Sequence, residues 1–204
     1  MGADEASRHI GRNVRLAVRV KADGARSRGR TRAALVHAFN KVFLQRREGT
    51  PRVSEVAHHA GVARSTFYEH YAGMDDLHMQ ALSRPLSALA DAIAGRGDAA
   101  GLEPVLQHFW ENRDRARATF GGEMHAKVER LLAGMVLGRL PQSVPTPALP
   151  LRLAAVQLAG AQLTVMRAWL AGESHCAPRD LARSICATSA SLRSSLFTAR
   201  ANGG

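Results

Sequence analysis

The spacing of apolar residues predicts helices along most of the chain. Between residues 30 and 47 the apolar positions recur three and four residues apart, which places them on one face of a helix: Leu35, Ala38, Phe39, Val42 and Phe43. The same spacing predicts further helices over about 53–60, 64–71, Met74 to Ala94, 102–119, 122–140, 148–171 and 178–199. Because no alternating strand pattern and no repeat is visible, we expect an all-α protein.

The two short helices around Gly61 have faces of opposite character. The first would bury Val53, Val56, Ala57 and Ala60, and Gly61 supplies the sharp turn to the second, which would bury Phe67. The outward residues of the second are polar groups that suit contacts with base edges and phosphates in a major groove: Arg64, Ser65, Thr66, Tyr68 and His70.

The distribution of charge supports a polyanionic partner at the same end. The formal net charge is +11; residues 1–73 carry 14 Lys and Arg against 6 Asp and Glu, a net +8, and residues 74–204 carry 14 against 11, a net +3. Such an excess at one end is typical of nucleic-acid binding. A general enrichment of arginine in the source proteome is the alternative explanation of the charge.

The segment around Gly61 resembles the TetR family of one-component bacterial transcriptional regulators. The resemblance is specific over about residues 30–80 and only architectural over 81–204. It rests on the pattern Val53-x-x-Val56-Ala57, Ala60-Gly61-Val62, Thr66-Phe67-Tyr68-x-His70-Tyr71 and Asp76-Leu77.

The charge pattern predicts a basic extension over 1–25. This resemblance implies a three-helix helix-turn-helix domain over 26–73 and a helical bundle over 74–204 for effector binding and dimerisation. The function expected is a ligand-responsive regulator, a repressor that a small molecule releases from double-stranded operator DNA, without enzymatic activity or a cofactor. Residues 64–71 would form the recognition helix, and the expected DNA contacts are Arg52, Ser54, Arg64, Ser65, Thr66, Tyr68 and His70.

Three positions depart from the family pattern. Met74 stands where the family usually has a phosphate-binding Lys, and Arg52 and Ala63 stand where Ser or Thr often caps a helix. Thr50 is a candidate substitute for the first cap, whereas nothing evident replaces the cap at Ala63. The missing cation could be supplied by Arg26, Arg28 and Arg30, together with the arginines from Arg8 to Arg19, or the residues before 26 could be a solvated tail.

An effector pocket is expected inside the C-terminal bundle. Aromatic, thioether and polar groups that line apolar ligand sites occur on helices expected to face one another: His108, Phe109, Phe120, Met124, His125, Met135, Gln162, Met166 and Trp169. Ordinary core packing explains Met and aromatic residues at this spacing equally well. His108 and His125 lack a third ligand at metal spacing, so we expect no metal.

The last two helices, 148–171 and 178–199, are the expected homodimer interface. Leu153, Val156, Gly160, Leu163 and Arg167 share one side of the first, and the second carries Leu181, Ile185, Leu192 and Leu196. The same pattern is also compatible with packing inside one chain.

The remaining features favour a cytoplasmic regulator. No segment approaches the roughly 20 apolar residues of a membrane span, and we expect free thiols at Cys176 and Cys186. No phosphate-binding loop, catalytic triad or paired carboxylates indicate an enzyme. The alternative function is a helical nucleic-acid-binding scaffold, which would bind shuffled and palindromic DNA alike.

Overall fold

The computed structural model describes residues 26–46, 49–141 and 149–197, and all regular structure in these ranges is α-helical, as the apolar spacing predicts. The arginines from Arg8 to Arg19 lie outside the described residues. The helices are α1 (26–45), α2 (Val53–His59), α3 (Arg64–His70), α4 (Met74–Ala94), α5 (Ala99–Glu111), α6 (Arg113–Gly121), α7 (His125–Leu137), α8 (Leu151–Ala171) and α9 (Pro178–Phe197).

The chain divides into an N-terminal unit, Met1–His78, and a C-terminal unit, Met79–Gly204. In the N-terminal unit α1, α2, α3 and the first turn of α4 enclose a small apolar core. Its members come from all four helices and from the residue that follows α3: Leu35, Ala38, Phe39, Val42, Val56, Ala57, Phe67, Tyr71 and Leu77.

One polar side chain is buried in this core. His78 is 6% exposed, and its ring centroid lies 5.0 Å from that of Phe39 and 4.8 Å from that of Phe43. Burial lowers the pKa of His78 to about 4, although the nearby Asp75 carboxylate acts in the opposite direction. The imidazole is therefore neutral at pH 7.

The C-terminal unit has the larger core. In it α5 packs along α9 and α7 packs along α8. The part of α4 that belongs to this unit buries Leu86, Leu89 and Ile93. Arg139 holds α4 to the end of α7, because its guanidinium donates to Asp91 Oδ1 at 2.6 Å and to Ser87 Oγ at 2.6 Å.

The expected helix over 102–119 is wrong, because two helices occupy this stretch. α5 ends and α6 begins at Asn112, whose backbone leaves the helical region at φ −112° and ψ 34°. The Asn112 side-chain amide donates to the carbonyl oxygen of His108 at 2.9 Å and so competes with continuation of the helix. The other predicted helices are present, and α4 has the predicted bounds, Met74–Ala94.

Candidate nucleic-acid interface

The turn between α2 and α3 is built on Gly61. Its φ of +66° lies in the left-handed region, which confirms the predicted glycine turn. The turn is closed by hydrogen bonds from the Gly61 N–H to the carbonyl of His58 at 3.1 Å and from the Val62 N–H to the carbonyl of Ala57 at 3.0 Å. α3 then begins at Arg64, three residues after Gly61.

The N-terminus of α2 is closed by the Glu55 side chain and not by Thr50, so the predicted Thr50 cap is wrong. Arg52 occupies the N-cap position, and its N–H donates to Glu55 Oε2 at 2.7 Å. Arg46, just beyond α1, donates to both carboxylate oxygens of Glu55 at 2.7 Å. The Arg52 N–H and then Arg46 hold the pKa of Glu55 below its usual value. Glu55 thus joins the end of α1 to the start of α2.

α3 has one buried face and one exposed face. Phe67 is fully buried and lies edge-on to the Tyr68 ring at 5.3 Å and tilted to the Tyr71 ring at 5.9 Å. No side chain caps the helix at Ala63, as the sequence predicts. The position of α3 is therefore set by Phe67 and Tyr71 and not by its own capping.

The structure brings the seven expected DNA contacts to the outside of α2 and α3. Arg64, Ser65 and Tyr68 are exposed, whereas Thr66 and His70 are half-buried. Arg52 and Ser54, at the start of α2, are also exposed. The face around Arg64 is therefore open to a partner.

Arg64 and Tyr68 form a pair on this exposed face. The guanidinium carbon of Arg64 lies 5.8 Å from the centre of the Tyr68 ring, and Arg64 Nη2 lies 3.5 Å from the Tyr68 hydroxyl. These are weak contacts between residues four apart on one helix, so both donors can reorient toward another acceptor.

Two arginines of the N-terminal unit have contacts that the sequence did not indicate. Arg46 pairs with Glu55, and the Arg32 guanidinium carbon lies 5.3 Å above the centre of the Tyr71 ring. These contacts reach Glu55 on α2 and Tyr71 after α3, so helical spacing within α1 could not have revealed them. Arg26, Arg28 and Arg30 are exposed on the first turns of α1.

Comparisons of sequence and of structure give different results. No family model matches the chain, and no curated protein sequence matches it. Among solved structures, the dihydroxyacetone kinase operon activator DhaS aligns with a TM-score of 0.50 and 15% identity, over 82% of this chain and 98% of DhaS. The TetR family repressor AlkX from a Dietzia species aligns with a TM-score of 0.53 and 15% identity, over 79% of this chain and 95% of AlkX.

The chain has the fold of these regulators. At 15% identity the likeness concerns the fold alone. The alignment extends over most of both chains, so it includes the helices that follow the helix-turn-helix as well.

The expected pocket residues of the C-terminal unit fall into three groups. Phe120, Gln162, Met166 and Trp169, together with Phe109, are buried; Met124, His125 and Met135 are half-buried; and His108 is exposed on α5. His108 points away from the interior core and lies 3.4 Å from the Asn112 amide. The structure therefore does not bring all of them to one place.

Three further residues of this set have specific polar partners. Gln162 on α8 donates to Thr188 on α9 at 3.3 Å, so a polar contact lies between the last two helices. His125 Nε2 lies 3.4 Å from Arg167 and 3.8 Å from Glu129, at the edge between α7 and α8. The Trp169 indole N–H donates to the carbonyl of Cys176 at 3.1 Å and its ring stacks on Trp110 at 4.8 Å.

The expected dimer residues separate into core and surface. Leu163, Leu181, Ile185 and Leu196 are buried within the single chain, so for them the alternative of intrachain packing is correct. Leu153 and Val156 on α8 are 54% and 42% exposed, and Val165 on the same helix is 46% exposed. The apolar surface left for a partner is thus on α8.

The described residues also bear on metal binding, membrane insertion and thiol chemistry. No group of three or more His, Cys, Asp or Glu side chains there is placed to hold a metal ion. Within the same ranges, none of the helices combines the length and the hydropathy that crossing a membrane requires. Cys176 and Cys186 are free thiols, and burial raises the pKa of Cys186.

Proposed function

We propose that this chain is a TetR-family transcriptional regulator that binds operator DNA through α3 and releases it when a small molecule binds the C-terminal unit. The observation that carries the proposal is the two-faced α3. Phe67 is fully buried on one side, and Arg64, Ser65 and Tyr68 are exposed on the other. The motif resemblance over residues 53–77 supports the family assignment.

The size of α3 suits insertion into DNA. A helix of seven residues is about 10 Å long, and the major groove is about 12 Å wide. Arg64 opens the helix, at the end whose residues contact base edges in helix-turn-helix proteins. Arg64 and Thr66 would read bases, whereas Tyr68 and His70 would bind phosphates.

The proposed active form is a homodimer that uses α8 and α9. Leu153 and Val156, three residues apart on one side of α8, give this helix an exposed apolar surface, whereas Gly160 faces Glu129 of α7 within the chain. A two-fold dimer would place two recognition helices about 34–36 Å apart, one turn of B-DNA. The operator would then be an inverted repeat.

The effector would bind among the helices of the C-terminal unit. Buried polar groups in an otherwise apolar core are the kind of groups that orient a small ligand, and Gln162 and Ser189 are 3% and 0% exposed. The Ser189 hydroxyl has no hydrogen-bond partner among the described residues. The proposal includes no catalytic step, and it implies a cytoplasmic protein because operator DNA lies there.

We infer repression in the absence of effector from the motif resemblance and not from the fold. One structural neighbour is described as an operon activator and the other as a repressor, so the same helical arrangement serves both signs of regulation. Release requires the effector to bind one conformation of the dimer more tightly than the other.

Selection of bound duplexes from a random library, followed by fluorescence anisotropy, tests the proposal. We expect the selected inverted repeat to bind at least about 10³-fold more tightly than its shuffled sequence. Arg64→Ala and Thr66→Ala should mainly relax this preference, and Tyr68→Ala should weaken binding to all duplexes. Arg96→Ala is the control, since Arg96 is exposed between α4 and α5 and belongs neither to α3 nor to the proposed dimer helices. Equal binding of selected and shuffled DNA would instead support the scaffold function.

A further inference from the structure

Arg32 on α1 is a cation that lies beside the end of α3. Its guanidinium carbon lies 5.3 Å above the ring of Tyr71, the residue that directly follows α3. We propose that Arg32 binds a DNA backbone phosphate at the edge of the groove that α3 enters. This inference rests on the proposed function and adds a phosphate-binding residue from α1.

The contact with Tyr71 fixes the guanidinium without using its donors. Tyr71 is 2% exposed and packs on Phe67, so its ring is a rigid surface. A cation–π contact uses the ring face and leaves the five N–H donors of an arginine available. Arg32 is itself exposed, and it has no hydrogen-bond or ion-pair partner among the described residues.

The start of α4, close to Tyr71 in the chain, is unsuited to a phosphate. Asp75 and Asp76 lie in its first turn, and Met74 carries no charge. The Asp76 carboxylate already accepts the Ala72 N–H at 3.1 Å, so the backbone donor before the helix is occupied. Two carboxylates repel a phosphate, and the cation at this end of α3 must therefore come from another helix.

The position of Arg32 fits the wall of a major groove. Because α3 is about as long as the groove is wide, a group beside its last residue lies near the phosphates that border the groove. Arg28, four residues earlier on α1, is also exposed and shares a helix face with Arg32. The two would form a short basic strip along the DNA backbone.

The inference is tested by the salt dependence of binding to two duplexes: the selected operator and a mixed-sequence duplex of the same length. Arg32→Ala should weaken binding to both by the same factor, roughly 5–10-fold, and lower the slope of log affinity against log salt by about one. Arg32→Lys keeps the charge and should restore most of the slope. Both variants are compared at equal folded fraction, as measured by circular dichroism.

A matched control is available in the C-terminal unit. Arg113 also lies over an aromatic ring, 5.5 Å from the centre of Trp110, so Arg113→Ala removes the same charge and the same type of contact. It should leave affinity and slope unchanged. Tyr71→Phe keeps the ring and should also bind as the unaltered protein does.

The possible failures are distinguishable. If the unaltered protein prefers its operator but Arg32→Ala keeps the full salt slope, the phosphate role of Arg32 is overturned and the proposed function stands. If Arg32→Ala loses the preference for the operator while its salt slope is unchanged, the phosphate role is likewise overturned, because that result would place Arg32 against a base. If the unaltered protein shows no preference for any selected duplex, the proposed function fails.

Discussion

Helices α3 and α8 obtain their stability in different ways. α3 has seven residues, of which only Phe67 is buried, and it lacks a side-chain cap. α8 has 21 residues, nine of them buried, and ends at Gly172 in the left-handed conformation with φ of +80°. Since isolated helices shorter than about 12–15 residues are marginal in water, α3 depends on one buried aromatic side chain, whereas α8 depends on nine buried residues.

Individual arginines of the two units show a similar contrast. In the C-terminal unit Arg139 donates to Asp91, to Ser87 and to the carbonyl of Met135, and Arg193 donates to the carbonyl of Ile93 at the end of α4. In the N-terminal unit Arg64 contacts only Tyr68 on its own helix among the described residues. The first two stabilise the fold, and Arg64 keeps its donors for a partner.

The largest effect is expected at the one buried residue of α3. Phe67→Ala should lower the free energy of unfolding of the N-terminal unit by about 3–5 kcal/mol, because it leaves a cavity that this short helix cannot fill. Both tyrosines, Tyr68 and Tyr71, lie in this unit, and both tryptophans, Trp110 and Trp169, lie in the other. Urea unfolding followed by tyrosine circular dichroism and by tryptophan fluorescence therefore reports on each unit separately.

Phe120→Ala is the matched substitution in the C-terminal unit. Phe120 is 1% exposed and packs edge-on against Phe109 at 5.1 Å. It should shift the tryptophan transition and leave the tyrosine transition in place. If Phe67→Ala moves both transitions equally, the dependence of α3 on a local contact is not supported.

The features that the sequence predicted correctly are those that depend on residues close together in the chain. Gly61 and Phe67 have their expected roles because a left-handed turn and a buried aromatic residue follow from neighbouring residues alone. The bounds of α4 follow likewise from its apolar spacing and its acidic first turn. The exposed face of α3 was predictable for the same reason.

Features that depend on distant partners could not be predicted. The contact of Arg32 with Tyr71 and the pairing of Arg46 with Glu55 join residues that only the fold brings together. Leu181 and Ile185 share a helix face in the sequence, but that face does not reveal whether it packs on the same chain or on a second copy. The break at Asn112 depends on one side-chain hydrogen bond that competes with helix continuation.

The second prediction concerns the arginine that holds α4 to α7. Arg139→Met should lower the free energy of unfolding of the C-terminal unit by about 2 kcal/mol, since it removes several charge-assisted hydrogen bonds. Arg183→Met is the control: Arg183 lies 3.9 Å from Asp180 with a side chain 65% exposed, and such a pair contributes about 0.5 kcal/mol or less. Tryptophan fluorescence during urea unfolding measures both. Equal losses would show that Arg139 has no special role.

The third prediction is a pH dependence confined to the N-terminal unit. The pKa of His78 is about 4 in the folded chain, against 6.5 for an unperturbed histidine such as that of an unfolded chain, so between these values the unfolded state binds more protons. Stability should therefore fall as pH falls, by about 2 kcal/mol from pH 7 to pH 5. The tyrosine-detected unfolding curve measures it, and His78→Phe should remove that part of the slope. A variant with the same pH dependence would exclude His78 as its source.

The smallest effect is expected from adding the cap that α3 lacks. Ala63 has the extended backbone of an N-cap, with φ of −70° and ψ of 153°, and its side chain offers no acceptor. Ala63→Ser would let a hydroxyl accept an N–H of the first turn and should stabilise the N-terminal unit by about 1 kcal/mol. The tyrosine transition in urea would move to higher concentration, and the tryptophan transition would not move. Ala63→Val, which adds bulk without an acceptor, should give no gain; if it stabilises as much as serine does, the missing cap is not what limits α3.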